Sequence, residues 1–452
     1  MASIVGGSQK LILSRSKSLR LITLFLFYFT QGFPVGVFFY AIPAWMSVGG
    51  ASTAEVASVV AAAGLPWSLK LVNGFIIDRY TFLPMGRRRV WIIGAQALIS
   101  LSLLAGAAIS PLPGDIVMLA ALAFLSNAAV TFQDVGIDSL AVDIMEEDER
   151  AKAAGIMMAA QLLGIAAATS LGGLLFNGYG ITVGLIGLAL VPAGVMLHGI
   201  IIRERGNERR LPWTQGESHP KNRAVQVTAW MPLVRGAAKA IVVPLSILML
   251  PIMMARSVAY GVFEAYHPEL FTQGAGWGIN DYTSLISTST MVSGLVGLII
   301  GGLVIDRIGA QRALTLAAAA CAVLLFVMGF ATSLWTVDWW LTAFILMFDI
   351  FAFFYVASFI PICMQLCVPA VAATQFTVYM AIGNFGRPIG AMIAAWTEGD
   401  LGMPAMMYLI AGAACAASAG ALLFVRYAPN REVVAEVAEE LPQGEGLPPK
   451  LD

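Results

Sequence analysis

Charge is what this chain has least of. Asp, Glu, Lys and Arg make up 12% of its 452 residues, about half the roughly 25% usual in soluble domains. A soluble protein of this length needs far more charged surface, so that class is excluded. Histidine is scarcer still. His198, His219 and His267 are the three in the chain; they are scattered and form no cluster with acids, which argues against a membrane enzyme. The four cysteines, Cys321, Cys363, Cys367 and Cys415, all fall in apolar stretches. Cys363 and Cys367 share a helix face without a His or acidic neighbour, so packing is expected of them rather than a metal or a disulfide. No basic face suited to nucleic acid survives outside short loops. No G-x-x-x-x-G-K-S/T loop is present, which disfavours ATP-driven pumping. No cleavable leader is expected, because the basic Lys10–Arg20 segment precedes a helix too long for a signal core.

What the chain has is apolar length. Apolar residues make up 59%, with 45 Gly and 21 Pro, and the mean hydropathy is +0.81. A membrane-crossing helix needs about 20 mostly apolar residues. Runs of that kind lie at about 19–46, 54–77, 90–110, 116–140, 152–176, 181–202, 241–264, 283–305, 311–331, 339–362, 372–396 and 404–427. Gly, Pro, Asn and Asp clusters such as Pro111–Gly114 and Asn177–Gly180 separate them. The expected fold class is an all-α membrane protein with twelve transmembrane helices in two six-helix pseudo-repeats. The expected units are 1–202, a polar central loop 203–240, 241–428 and a tail 429–452.

Orientation follows from Lys and Arg. With the N-terminus in the cytoplasm, every basic residue except Lys70, Arg256 and Arg387 lies in an inner segment, and those three lie within spans. The outer loops carry only acids, among them Asp115, Glu269, Asp281, Asp338 and Asp400. Both termini are expected inside, in a multi-pass protein of the bacterial inner membrane.

The text after span two reads Gly74-Phe75-Ile76-Ile77-Asp78-Arg79 and then Gly86-Arg87-Arg88-Arg89. After span eight it reads Gly302-Leu303-Val304-Ile305-Asp306-Arg307, then Gly309 and Arg312. This internal repeat resembles the loop motif of the major facilitator superfamily, and the resemblance runs over essentially the whole chain. Glycine there allows close helix approach, and the Asp can face a helix N-terminus. Gly74, Asp78, Arg79, Arg87, Arg88, Gly302, Asp306 and Arg307 are therefore expected to gate the cytoplasmic side through ion pairs. Repeated halves around a midplane site are a transporter arrangement. A membrane sensor should carry an added output domain, and the longest polar segment is too short for one.

Ionisable residues inside spans cost about 2.5–3.5 kcal/mol on insertion scales, so each needs a reason. In the first half these are Lys70, Asp134 and Asp138. Lys70 lies about 12 Å deep and Asp134 about 9 Å deep by helix rise, so they are expected to pair. Asp134 and Asp138 share a face, with Gln133 beside them. The group either locks two helices or handles substrate or protons. In the second half Arg256, Asp349 and Arg387 lie at similar depth. Two guanidinium forks against one carboxylate favour an anionic solute, with Asp349 either their partner or a proton carrier. Glu264, near the outer end of span seven, is a further relay candidate. Gln31-Gly32-Phe33-Pro34 is expected to bend toward the cavity, since Pro34 breaks the helix ladder.

Several segments sharpen the resemblance to the branch holding AmpG-type muropeptide permeases and acetyl-CoA transporters. They are Gly32-Phe33-Pro34 with Ala44-Trp45-Met46, Pro66-Trp67-Ser68-Leu69-Lys70, Asp78-Arg79-Tyr80-Thr81, Gln133-Asp134 with Asp138, Glu149-Arg150, and Ala373-Thr374-Gln375-Phe376 with Gly386-Arg387. The resemblance implies proton-coupled import of an anionic, anhydro-muropeptide-like solute, with Gln375 and Gln31 joining the buried charges at the site. It implies no cofactor beyond the proton gradient and no obligatory protein partner, and a monomer is expected. One departure stands out: AmpG-type chains tend to carry an acid shortly after the basic residue of span seven, and here Arg256 is followed by Ser257, Val258 and Ala259. An acetyl-CoA-like, siderophore or drug solute is the alternative.

Overall fold

The computed structural model describes residues 11–146, 149–224, 244–366 and 372–424. Among them, ten helices are long and apolar enough to cross a membrane. The first four are α1 (Lys17–Val48), α2 (Thr53–Arg79), α3 (Arg89–Ile109) and α4 (Ile116–Ile144). Helix α1 starts on Ser16, whose side chain accepts from the Leu19 amide, and α2 starts on a Ser52–Glu55 capping box. The stretch Arg150–Ile201 is two passes, α5 (150–179) and α6 (181–201), because Gly180 at φ 80° turns the chain as no other residue type readily does. The second set is α7 (Pro244–Glu269), α8 (Ile279–Ile308), α9 (Ala310–Phe330), α10 (Asp338–Leu366), α11 (372–395) and α12 (Ala405–Phe424). Helix α11 is one pass in two arms, Ala372–Asn384 and Gly386–Ala395. Twelve passes result. The tail 429–452 and the central-loop residues beyond 224 lie outside the described residues.

One span boundary differs from the sequence expectation in a way that matters. Helix α7 does not stop near Glu264. It runs past Pro268 into a π-helical turn at Leu270–Gly274. Polar His267 and Glu269 beside a proline imitate a helix end in the sequence, yet His267 is buried at 1% exposure. Glu264 therefore sits well inside the pass.

Helices α1 to α6 pack among themselves, chiefly α1 on α5, α2 on α4, and α3 on α4. In the second set α7 packs on α11, α9 on α12, and α8 and α9 on α10. The two sets meet where α8 lies against α5 and where α2 lies against α11 and α7. In lipid no hydrophobic force drives helices together, so small residues set the tightest crossings. A Cβ on Gly32 of α1 would stand 2.5 Å from the Gln161 carbonyl oxygen of α5. A Cβ on Gly386 of α11 would stand 2.5 Å from the Met254 carbonyl oxygen of α7. The expected bend at Gln31–Pro34 thus faces α5 at Gly32. A π turn at Val37–Ala41 follows it.

On the face carrying the basic loops, the segment after α6 is docked against the first six-helix set. Both Glu204 oxygens accept from backbone amides, those of Arg87 (2.8 Å), Arg88 (2.8 Å) and Arg89 (2.6 Å), capping the start of α3. The Arg89 guanidinium crosses to the end of α6, donating to the carbonyls of Gly199 (3.2 Å) and Ile202 (2.5 Å). Backbone bonds from Leu13 to Arg203 and from Arg209 to Pro84 bind residues 203–224 to the N-terminal segment and the loop after α2.

Candidate functional site

The first cluster lies between α1, α2 and α4. Lys70 Nζ stands 3.0 Å from Asp134 Oδ2, and Gln31 donates to the other oxygen of Asp134. Asp138, one turn along, accepts from the Tyr28 hydroxyl. Gln133 instead ties α4 to α1, donating to the Phe27 carbonyl at 2.8 Å and to Thr30 Oγ1 at 3.1 Å. Lys70, Asp134 and Asp138 border a cavity of about 460 Å³ on the basic side, walled by α2, α4 and Phe376 of α11.

The second cluster lies at mid-depth among α1, α7, α8, α10 and α11. Arg256, Asp349 and Arg387 line one cavity of about 100 Å³ together with Tyr40 and Tyr260. The sequence reading set two arginines against Asp349, and the structure distributes the charges otherwise. Asp349 accepts from Tyr260 (2.9 Å) and Ser289 (2.6 Å). Arg387 pairs with Glu264 at 3.3 Å. Arg256 donates from Nε to the Ala352 carbonyl at 2.8 Å and lies over the Tyr260 ring at 4.5 Å. Its terminal nitrogens have no hydrogen-bond partner among the described residues. Arg387 lies over the Phe39 ring at 4.7 Å. Tyr260 and Ser289 are not singled out by the sequence, because hydroxyls are common in spans. The signal available was that Tyr260 lies one helical turn from Arg256 and from Glu264.

The gate residues sit on the basic face. Arg87 (3.5 Å) and Arg88 (3.1 Å) pair with Asp143 of α4, inside their own six-helix set. Gly74 borders the large cavity, and a Cβ on it would reach only Val135 at 3.9 Å, so close helix approach does not require it in this conformation. Arg79, Asp306 and Arg307 are exposed. Gly302 opens the helical segment Gly302–Ile308 at the end of α8. The side chains of Asp78 and Gln375 lie outside the described residues.

On the opposite face the two sets are joined by hydrogen bonds. Gln273 Nε2 donates to the carbonyls of Ser47 (3.0 Å) and Ala51 (3.0 Å), Ser47 Oγ meets Thr272 Oγ1 at 2.8 Å, and Thr53 donates to Glu269. The chain is thus fastened on its acidic face and hollow on its basic face.

Twelve passes in two six-helix sets, with ionisable groups held at mid-depth around a cavity between them, define a membrane transporter. The chain belongs to the Major Facilitator Superfamily, whose family model matches residues 24–391. It is 22% identical over 387 residues to the anhydromuropeptide permease of Escherichia coli, covering 81% of this chain and 72% of that one. It is 25% identical over 311 residues to a transporter named AmpG 4 from Rickettsia conorii, covering 65% and 69%. The nucleoside transporter NupG shares the fold, with a TM-score of 0.64 at 11% identity over 89% of this chain and 98% of that one. So does a POT family transporter solved with 5-aminolevulinic acid, with a TM-score of 0.66 at 12% identity over 92% and 98%.

Proposed function

We propose that the chain is a proton-coupled importer of an anionic organic solute of the anhydro-muropeptide kind. It works as a monomer in the bacterial inner membrane with both termini in the cytoplasm, and the proton gradient is its driving force. One observation carries the reading. Arg256 turns a guanidinium fork into the central cavity with its terminal nitrogens unengaged, beside the second cation Arg387. A planar fork of this kind matches a carboxylate bidentately. The first cluster, with Asp134, Asp138 and Lys70 at the edge of the larger cavity, suits proton handling on the inward side. The kind of solute and the inward direction rest on the likeness to the anhydromuropeptide permease. At about 100 Å³ the central cavity is below the roughly 300–1,000 Å³ of ligand pockets, so the solute enters after the halves rock apart.

The test is uptake of a labelled anhydro-muropeptide into right-side-out vesicles with and without an inward proton gradient. Gradient-driven accumulation that disappears in Arg256→Gln and Arg387→Gln supports the reading. Absence of uptake by folded protein removes the muropeptide and moves the search to other organic anions.

A further inference from the structure

Arg89 draws two other arginines together on the basic face. Its guanidinium donates to the Ile202 carbonyl at 2.5 Å and to the Arg209 carbonyl. The residues next along the chain, Arg203 and Arg210, are thereby held beside each other where α3 begins and α6 ends. Burial first, and then the Arg210 charge, push Arg203 below its ordinary value, while Glu208 opposes them. Residues 203–210 carry four arginines and two glutamates. Both acids are engaged, Glu204 by the three amides at the start of α3 and Glu208 by the Arg205 amide and Asn222. Arg205 donates to Asn222 Oδ1 (2.5 Å) and the Asp143 carbonyl (3.0 Å), and Arg209 to the carbonyls of Gly216 (2.9 Å) and Pro212 (2.8 Å). Arg203 and Arg210 differ. Each has a buried Nε without a partner, and neither guanidinium makes a hydrogen bond or ion pair among the described residues. The turn that follows is fixed by Thr214 Oγ1, which accepts from the amides of Arg210 (3.0 Å) and Leu211 (3.1 Å). That turn leaves Trp213 79% exposed.

We propose that Arg203 and Arg210 bind the phosphodiester headgroup of an anionic membrane lipid, with Trp213 seated in the membrane interface beside it. Two neighbouring guanidiniums without a counter-ion repel each other, and an anion that bridges them replaces repulsion with attraction. Guanidinium forks match phosphate oxygens bidentately. The depth suits a headgroup rather than a soluble ion. Arg203 follows the last residue of α6 by two positions, and the Arg209 amide is bonded to the Pro84 carbonyl in the loop after α2. Tyr80 and Phe82 of that loop are exposed, as Trp213 is. Exposed aromatic rings gather at headgroup level, and basic side chains just beyond a membrane pass attract anionic lipid. The occupant also acts on the segment that holds it. Residues 203–224 are docked on α3 through Glu204 and on the end of α4 through Arg205. A lipid that relieves the Arg203–Arg210 repulsion tightens this docking, so the composition of the membrane sets how firmly the segment is held.

The test compares the full chain in vesicles of phosphatidylcholine alone and of phosphatidylcholine with phosphatidylglycerol, at one pH and one salt concentration. Amide hydrogen exchange of residues 203–216 is the readout. Phosphatidylglycerol is expected to slow it by about fivefold to thirtyfold, the effect of two arginines at an anionic surface. The double variant Arg203→Gln with Arg210→Gln should lose that slowing. Its exchange in phosphatidylcholine should be no faster than the parent's, since no protein contact is removed. Arg203→Lys with Arg210→Lys keeps the charge and should keep part of the slowing, which a merely structural role would not produce. Trp213→Ser should quicken exchange in both membranes. Slowing that is absent in the parent, that survives in the glutamine pair, or that vanishes in the lysine pair overturns the proposal. So does equal slowing by inorganic phosphate added to the phosphatidylcholine vesicles, because the ligand is then a soluble anion. The acids of the tail, Glu432, Glu436, Glu439 and Glu440, are the competing occupant. Changing all four to Gln should leave exchange in phosphatidylcholine as it was; faster exchange there assigns the arginines to the tail and removes the lipid.

Discussion

Tyr260 donates its hydroxyl proton to Asp349 across 2.9 Å while its ring carries the Arg256 guanidinium at 4.5 Å. The tyrosine thus couples an acid of α10 to a cation of α7 that makes no ion pair with it. Such a bridge is expected to be cooperative. A double-mutant cycle of Tyr260→Phe and Asp349→Asn, read by thermal unfolding in detergent, should give a coupling of about 0.6–1.7 kcal/mol. Tyr260→Leu removes the ring face as well and should add about 0.5–2 kcal/mol. Additive single effects would mean that the hydroxyl and the carboxylate act independently.

The Lys70–Asp134 pair separates a structural lock from a proton site. Both side chains are largely buried, at 16% and 7% exposure, so removing either charge strands the other. Lys70→Met alone should destabilise by about 3–5 kcal/mol, and the double change Lys70→Met with Asp134→Asn should recover most of it. Transport by the recovered double variant is the discriminating readout. A folded protein that no longer accumulates solute places proton or substrate handling on the pair. Restored accumulation reduces it to a lock between α2 and α4.

These two sites differ in how readily the sequence reveals them, for a geometric reason. Lys70 and Asp134 are each measured from a clear cytoplasmic boundary, so helix rise alone puts them at one depth, and α2 and α4 are neighbours. Depth also groups Arg256, Asp349 and Arg387. Which of them touch is set by rotation of about 100° per residue around each axis and by which helices cross, and a single sequence encodes neither. The sequence places Glu264 near the outer end of its span because His267, Pro268 and Glu269 imitate a helix end, while the chain runs on through a π turn. The twelve passes were legible because hydropathy is a sum over many residues. The hidden break was legible as well, since Gly180 closes an Asn-Gly-Tyr-Gly cluster.

The loop after α2 makes a prediction about its glycine. Gly86 has φ 104°, and a Cβ there would lie 2.5 Å from the Glu204 carboxyl carbon. Gly86→Ala therefore meets both backbone strain of about 1–2 kcal/mol and a clash with the carboxylate that caps α3. Unfolding temperature should fall more for Gly86→Ala than for Glu204→Gln, which keeps one acceptor oxygen. Equal effects would show that space for the carboxylate is not what the glycine supplies.

Glu208 gives the docked loop a pH dependence whose sign can be derived. It is fully buried in the segment after α6, where its oxygens accept from the Arg205 amide (2.9 Å) and the Asn222 side chain (2.9 Å). Burial first, and then the negative charge of Glu204, push its carboxyl up to about 7 from the ordinary 4.5; the hydrogen bonds and the Arg89 charge oppose them. A raised acid binds its proton more tightly when docked than when free. Docking is therefore favoured most below the ordinary value, and that contribution is lost as the pH rises from about 4.5 through about 7. The full swing is of the order of 3 kcal/mol, enough to loosen the segment at neutral pH. Amide hydrogen exchange of residues 203–224 in the purified transporter, corrected for the intrinsic pH dependence of exchange, should show protection falling across that window. Glu208→Gln, neutral at every pH, should hold protection level. Protection in the parent protein that is flat or rises with pH would contradict this sign and leave Glu208 without a role in the docking equilibrium.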